Sequence, residues 1–335
     1  MRAGIGRFVK TKNFSLVLIF VAVVLFFEFT SPNFSYLSAA NIRHILDSMV
    51  IYILFAIGEG LLIISGEIDL SPGYIGVFSG MVMGLLLQGG MPWYAAVLLS
   101  LLAGTAFGLF NAFLINALSM QGFIATLATG LYVAKGFAQV ISDGKSVNIR
   151  DPAIVWLGTG KILNIPVAII ISLTAILVFG IVLAKTKFGR SIYLCGGNRA
   201  AARYAGLNPR KLSYILFAIS GAMGALAGIL YAGRALAANL FSTANYAFPA
   251  ITAVILGGIS FGGGSGGMLG CFLGLLILNS FNNGITILGV EPYWQSVFSG
   301  VLLLLALTVD YFSTKNKMRV KPVKGVAGAA AQKPV

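Results

Sequence analysis

Apolar runs of about 20 residues recur along nearly the whole chain, and no other feature restricts its fold as strongly. A helix needs about that length to cross the hydrocarbon core of a bilayer. The candidate spans are residues 15–30, 46–65, 72–89, 92–117, 122–141, 165–184, 212–235, 247–262, 267–288 and 294–313. Only 10% of the residues are charged, too few for the surface of a soluble protein. The sequence therefore predicts an all-α integral membrane protein with about ten transmembrane helices in one domain, residues 15–313.

Basic residues indicate how these spans are oriented. Most of the 23 lysine and arginine residues fall in three stretches without Asp or Glu, namely residues 1–14, 185–211 and 314–335. Because basic residues are retained on the cytoplasmic side, we expect a cytoplasmic N-terminal arm, a cytoplasmic loop within the domain and a disordered cytoplasmic tail. An even number of spans places both termini on that one side. This topology and anionic lipid account for the net charge of +14, which therefore does not indicate nucleic-acid binding.

Residues 64–73, Ile-Ser-Gly-Glu-Ile-Asp-Leu-Ser-Pro-Gly, place two carboxylates between two apolar runs. Ser71 before Pro72 is typical of an N-cap followed by proline at the first helical position, so one helix should end early in this segment and another begin at Pro72. A broken helix at membrane depth is tolerated where it packs in protein or lines a cavity. Glu67, Asp69 and Ser71 are therefore candidates for a translocation path or gate. An interfacial turn is the alternative.

Other polar residues in or beside apolar runs are weaker candidates for the same path. Glu59 stands alone in the second candidate span. Asn279, Asn282 and Asn283 fall near the outer end of the ninth span. Their amides can hydrogen-bond either the hydroxyl groups of a sugar or neighbouring helices.

Within the basic loop, Asn198 is predicted to cap a short alanine-rich helix from Arg199 to Ala205, with Gly206 as its stop. A helix of this length is unstable alone and needs a partner to pack against. We interpret it as a docking helix for a cytoplasmic protein, and a solvated basic turn is the alternative.

Residues 257–267 are mostly glycine and are predicted to join two spans on the cytoplasmic side, as a packing turn or as a hinge. The sequence lacks the ATP-binding pattern GxxxxGK[ST], because Gln139 stands where Gly144-Lys145-Ser146 would require a glycine. One histidine and two scattered cysteines predict no metal site. We therefore expect the chain to bind no cofactor itself.

Three of these segments resemble those of the permease subunits of ribose/xylose/arabinose-type bacterial ABC importers. GEIDLSPG (66–73) resembles the family's GGIDLSVG, and FGRSIYLCGGNRAAARYAGL (188–207) resembles its cytoplasmic coupling loop. ITAVILGGISFGGGSGG (251–267), followed by LNSFNNGITILGV (278–290), resembles its glycine turn and next helix. The resemblance runs over about residues 15–313. It implies a non-catalytic subunit with a type II-like importer permease fold in the bacterial cytoplasmic (inner) membrane.

The resemblance also implies partners. Two permease subunits, identical or related, would surround one path, and an extracytoplasmic binding protein would deliver a sugar or a related polar solute. A separate pair of ATPases would hold ATP and magnesium and would rock the permeases between outward- and inward-facing states. The implied ATPase-coupling residues are Gly196, Gly197, Asn198, Ala201, Ala202, Ala205 and Gly206. The predicted hinge or packing residues are Gly66, Pro72, Gly73, Gly257, Gly258, Gly263 and Gly264.

The sequence departs from the family pattern at two of the motifs. Glu67 stands where the family usually has glycine, and Pro72 where it usually has valine. Before Ile251 the family often has Glu-Leu-Asp-Ala, where this chain has Ala-Phe-Pro-Ala (247–250), and Phe248 joins the candidate path residues. These departures favour a substrate other than ribose, or a different subfamily.

Alternative functions follow from the same features. A permease of this class for a nucleoside, a branched-chain amino acid or a furanose signal molecule stays open, because specificity in such systems rests largely with the binding protein. An ion-coupled secondary transporter would also use broken helices and buried acids. Such a carrier does not need the basic Gly-Gly-Asn loop, which favours the ATP-driven class.

Overall fold

The computed structural model describes residues 12–318, and α-helices make up most of them. The predicted arm (1–14) and tail (314–335) lie largely outside the described residues. In chain order the helices are α1 (Lys12–Thr30), α2 (Ala39–Ile64), α3 (Pro72–Gln88), α4 (Trp93–Asn116), α5 (Gly122–Ala128), α6 (Lys135–Ile141), α7 (Pro152–Thr159), α8 (Val167–Lys185), α9 (Lys187–Gly197), α10 (Arg199–Tyr204), α11 (Pro209–Ala235), α12 (Ala247–Leu256), α13 (Met268–Ile287) and α14 (Pro292–Met318).

Short elements occur between these helices. Strands β1 (Val147–Asn148) and β4 (Ala237–Ala238) pair antiparallel, as do β2 (Lys161–Ile162) and β3 (Ile165–Pro166). Single 3-10 turns span Pro32–Phe34 and Ala244–Tyr246.

Seven helices in residues 12–318 are long and apolar enough to cross a membrane. They are α1, α2, α4, the continuous helix over residues 122–141, α8, α11 and α13. Three shorter apolar helices occupy the remaining candidate spans. The predicted span 247–262 was too long, since α12 ends at Leu256. The chain turns at Gly257 and Gly258, where Gly258 has a φ of +85° that favours glycine.

Helix α2 forms the centre of the bundle. Every side chain from Ile53 to Ile64 is buried, and helices α8, α11, α12 and α13 pack around it. A helix that is apolar on all sides suits such a position.

Helix α11 packs closely against α3 and α4 through glycine. A Cβ atom on Gly228 would lie 2.0 Å from the carbonyl oxygen of Gly76, and one on Gly221 would lie 2.3 Å from that of Gly104. Small residues allow helix backbones to approach in this way within a membrane. The contact fixes α11 beside the start of α3, where the site lies.

A π-helical turn, Thr129–Ala134, joins α5 to α6 within the predicted fifth span, and the helix continues through it. It packs against the α2–α3 break, because a Cβ on Gly130 would lie 2.8 Å from the Cα of Ser71. Short π-helical turns often occur at functional sites.

Candidate functional site

The chain leaves α2 at Ile64 and enters α3 at Pro72, so the predicted helix break is confirmed. Gly66 has a φ of +82°, a conformation that favours glycine. The N-cap prediction was wrong in one respect. Ser71 precedes α3 but makes no capping hydrogen bond, because its hydroxyl bonds Asp69 and Asn111 instead.

Asp69 is completely buried in the break and accepts three hydrogen bonds. The backbone N–H and the hydroxyl of Ser71 donate to Oδ1 at 2.9 Å and 2.5 Å. The hydroxyl of Ser220, in α11, donates to Oδ2 at 2.8 Å. The carboxyl group therefore ties the break to α11.

The same network extends to two further elements. Asn111, in α4, donates from Nδ2 to the hydroxyl oxygen of Ser71 at 2.7 Å, and the hydroxyl of Thr129 in the π-helix donates to Oδ1 of Asn111. These side chains are all buried. A buried network of satisfied polar groups holds its elements in one arrangement.

Glu59, in α2, is also completely buried. Neither of its carboxyl oxygens makes a well-formed hydrogen bond among the described residues, and both the backbone N–H and the carboxyl group of Asp69 are its neighbours. An unpartnered buried carboxyl group costs folding free energy. A buried carboxyl group without a well-formed hydrogen bond is rare, which makes Glu59 a candidate for a functional role.

Glu67 connects the break to the basic loop. Its Oε1 accepts a hydrogen bond from Nη2 of Arg199 at 2.9 Å, and its Oε2 accepts one from the hydroxyl of Ser213 at 2.8 Å. Burial raises the pKa of the Glu67 carboxyl group, whereas the bond from Ser213 and the charge of Arg199 act in the opposite direction. Glu67, one of the two departures from the family pattern in this motif, thus pairs with Arg199 of the basic loop.

Glycines from all three motifs meet at the end of α2. This glycine junction consists of the backbone of Ile64 together with Gly66, Gly196, Gly263 and Gly264. The N–H of Gly264 donates to the last carbonyl of α2, that of Ile64, at 2.8 Å. A Cβ on Gly196 would lie 1.8 Å from that carbonyl oxygen, and one on Gly263 would lie 2.8 Å from the carbonyl oxygen of Gly196. Only glycine permits backbones to approach this closely.

The short helix predicted in the basic loop is confirmed as α10. Oδ1 of Asn198 accepts from the N–H of Ala201 at 2.9 Å, and Gly206 follows the helix with a φ of +81°. Ala202 is buried, whereas Ala201, Ala205, Gly197 and Gly206 are exposed. Ala202 therefore presents almost no surface to a partner in this structure, and the coupling assignments stay predictions.

Tyr204 is the most conspicuous side chain on α10. It is 94% exposed, although tyrosine usually buries much of its ring. An exposed aromatic ring on a helix is the kind of residue that anchors a protein interface.

The remaining predicted hinge residues lie at close backbone contacts. A Cβ on Gly73, which follows Pro72, would lie 2.8 Å from the carbonyl oxygen of Thr243. One on Gly257 would lie 2.3 Å from the carbonyl oxygen of Gly270. These contacts join α3 to the turn before α12, and α12 to α13.

A polar cavity of about 480 Å³ lies near the start of α2, at the opposite end of this helix from the glycine junction. Its polar and aromatic lining comprises His44, Ser48, Tyr52, Tyr231, Arg234, Tyr246, Asn279, Asn282, Asn283, Thr286 and Gln295. Ser48 and Ile64 are separated by about 24 Å along the axis of α2, at 1.5 Å per residue. The cavity and the glycine junction therefore lie at the two ends of the central helix.

The candidate path residues separate into three places. Asn279, Asn282 and Asn283 line the polar cavity, and the acidic candidates lie in α2 or in the break. Phe248 is 53% exposed and does not line the cavity. These placements do not test a role in transport, so the path assignments stay predictions.

Sequence reasoning missed Asn111, Thr129, Ser213, Ser220 and Tyr204. Asn111 was detectable as an isolated amide in an apolar span. The serine and threonine gave no signal, because such hydroxyls commonly bond the carbonyls of their own helix. Exposure of Tyr204 depends on how α10 sits on the bundle.

Comparison with known proteins identifies the family of this chain. Residues 41–307 match the family model described as branched-chain amino acid transport system / permease component. The ribose import permease protein of Haemophilus influenzae is 32% identical over 93% of this chain and 97% of its own. The D-allose transport system permease protein of Escherichia coli is 34% identical over 91% of this chain and 93% of its own.

The ribose import permease protein of Bacillus subtilis is 35% identical over 83% of this chain and 87% of its own. No solved structure matches the chain. The resemblance drawn from the three motifs is confirmed, and the chain belongs to this family of transport-system permease components.

Proposed function

We propose that this chain is the membrane permease subunit of an ATP-binding-cassette importer and forms the translocation path for a sugar or a related polar solute. An extracytoplasmic binding protein delivers the solute, and separate ATPase chains bind ATP and magnesium. The subunit lies in the bacterial cytoplasmic membrane with about ten spans and both termini in the cytoplasm. It pairs with a second permease, identical or related.

The glycine junction carries this proposal. Gly196 of the loop touches the last carbonyl of α2, and Arg199 pairs with Glu67 of the break. A displacement of the loop is therefore transmitted to the segment that holds Asp69. ATP-driven movement at one surface can thus alter a buried, hydrogen-bonded gate, as alternating access requires.

The two ends of α2 support the proposed direction of transport. The junction lies beside the basic loop, which belongs in the cytoplasm. The polar cavity at the other end then opens to the outside, where a binding protein docks. Relatives named as ribose and D-allose permeases make a sugar the favoured substrate class.

Two alternatives have specific support. The matching family model carries a branched-chain amino acid description, which keeps an amino acid substrate in view. The unpartnered carboxyl group of Glu59 suits an ion-coupled carrier. The exposed Tyr204 on α10 favours an ATP-driven importer over an ion-coupled carrier.

Replacement of Tyr204 tests the proposal. The cognate ABC ATPase should co-purify with the wild-type permease in detergent. Tyr204→Ala should weaken that binding about 30-fold, since an aromatic anchor contributes about 2 kcal/mol. Ala205→Glu, at an exposed position of the same loop, should also weaken it.

Tyr293→Ala is the matched control, since Tyr293 is 65% exposed near the start of α14. It should retain full ATPase binding. If wild type binds no ATPase and uptake follows an ion gradient instead, the secondary-transporter alternative replaces this proposal.

A further inference from the structure

Several hydrogen-bonding groups in the polar cavity have no partner. The hydroxyls of Tyr52, Tyr231 and Tyr246 form no hydrogen bond within residues 12–318. Oδ1 of Asn282 is buried and also lacks a partner in that part of the chain. Unsatisfied groups that converge on one cavity indicate a ligand with complementary hydroxyls or amides.

The charged side chain that lines the cavity is already paired. Arg234 is its one Lys, Arg, Asp or Glu lining residue. Its Nη1 donates to the backbone oxygen of Asp47 at 2.7 Å, and its Nη2 to Oδ2 of Asp47 at 2.5 Å. The guanidinium is already neutralised by this two-point contact. A carboxylate or ammonium group on a ligand would find no unpaired Lys, Arg, Asp or Glu side chain in the cavity lining.

Aromatic rings form one wall of the cavity. The ring centroids of Tyr52 and Tyr246 are 4.7 Å apart, and those of Tyr231 and Tyr246 are 6.2 Å apart. Tyrosine presents an apolar face beside a polar hydroxyl. This combination suits a ring that carries both C–H faces and hydroxyl groups.

We propose that the polar cavity is a binding site for a neutral, polyhydroxylated solute of monosaccharide size. Asn282 accepts a hydrogen bond from a solute hydroxyl through Oδ1. Tyr52, Tyr231 and Tyr246 supply hydroxyls that donate or accept, and their rings cover its apolar face. A volume of about 480 Å³ leaves room for the solute and bridging water.

This inference rests on the proposed function and narrows it. The family description names a branched-chain amino acid system. The cavity lining leaves no unpaired Lys, Arg, Asp or Glu side chain for the ammonium and carboxylate groups of an amino acid. The site therefore selects a sugar-like solute within the permease itself.

Protection of an introduced cysteine tests the site without any ATPase. Ser48→Cys places a thiol on the cavity wall, and both native cysteines are buried. A membrane-impermeant maleimide, added outside intact lipid vesicles that contain the full-length chain, should label this variant. Millimolar D-ribose, D-allose or L-arabinose should slow labelling, whereas L-leucine should not.

Two further variants attribute protection to named groups. Asn282→Leu and Tyr231→Phe, each combined with Ser48→Cys, should need about tenfold more sugar for half protection, because each removes one hydrogen bond to the solute. Their labelling rate without sugar should equal that of Ser48→Cys alone, which shows an intact fold. Leu163→Cys, which is not in the cavity lining, should be labelled at the same rate with and without sugar.

Each outcome is decisive. Labelling that no sugar slows, or that L-leucine slows equally, overturns the site. Protection that survives both Asn282→Leu and Tyr231→Phe overturns the assignment of these residues. The result is independent of ATPase binding to α10, so failure of the site and failure of the proposed importer function are separable.

Discussion

At the scale of single residues, buried polar side chains hold the break in place. Asp69 accepts hydrogen bonds from Ser71 and Ser220, and Ser71 in turn accepts one from Asn111. Each bond contributes little to stability by itself, but a buried donor left without an acceptor costs about 1–3 kcal/mol. The rigidity of the break therefore depends on all of these partners together.

Replacing Asp69 should destabilise the protein in steps. Asp69→Ala leaves three donors without an acceptor, and we expect it to lower the free energy of unfolding by about 3 kcal/mol. Ser220→Ala removes a single donor and should lower it by about 1 kcal/mol. Denaturant-induced unfolding in detergent measures both.

Ser65→Ala is the control for Ser220→Ala. The hydroxyl of Ser65 bonds only the carbonyl of Leu62, in the preceding helical turn, so its loss should have almost no effect. Equal destabilisation by Ser65→Ala and Ser220→Ala would contradict a structural role for the Asp69 network.

At the scale of elements, the glycine junction lets three backbone segments meet without intervening side chains. Helix α9 ends against the last carbonyl of α2, and the glycine turn after α12 packs on both. Contact between backbones transmits displacement more directly than contact between flexible side chains. The junction therefore joins the loop that carries α10 to the break through direct backbone contact.

Adjacent glycines in α9 provide a matched pair of variants. Gly196→Ala places a Cβ 1.8 Å from the carbonyl oxygen of Ile64, whereas a Cβ at Gly197 meets nothing within 4 Å. We expect Gly196→Ala to cost about 1–3 kcal/mol through overpacking and to reduce ATP-driven uptake in proteoliposomes. Gly197→Ala should retain wild-type stability and uptake. Similar behaviour of the two variants would show that the junction does not transmit motion.

At the scale of the whole molecule, the two ends of α2 have different chemistry. One end carries the glycine junction and the basic loop, and the other carries the polar cavity with its hydroxyl and amide groups. Between them, α2 is buried on all sides. The proposed importer function requires such a difference, because solute would enter at one face and ATP-driven movement would act at the other.

The orientation of the molecule is directly measurable. Leu163 is 91% exposed between β2 and β3, and Tyr204 is 94% exposed on α10. In spheroplasts, whose inner membrane is sealed, a membrane-impermeant maleimide should label Leu163→Cys. It should label Tyr204→Cys only after the membrane is permeabilised. Wild type, whose cysteines are both buried, gives the background. Labelling of Tyr204→Cys from outside would reverse the proposed topology.

Much of the fold and part of the site could be predicted from local pattern. The break before Pro72 and the cap at Asn198 are encoded within a few residues. The length of α12 was overestimated, because apolar residues continue past Leu256 into the glycine segment although the helix does not. Hydropathy measures solvent preference, whereas glycine geometry ends the helix.

The sequence alone determined that the chain is a membrane protein, where its helices break, and to which permease family its motifs are similar, because these depend on apolar length, local capping and short motifs. Only the tertiary structure decided that Gly66, Gly196 and Gly263 touch, that Glu67 pairs with Arg199, and that Ala202 is buried while Tyr204 is exposed. Such contacts join segments more than a hundred residues apart in the chain. Helix packing brings them together, and no local pattern records which partners will meet.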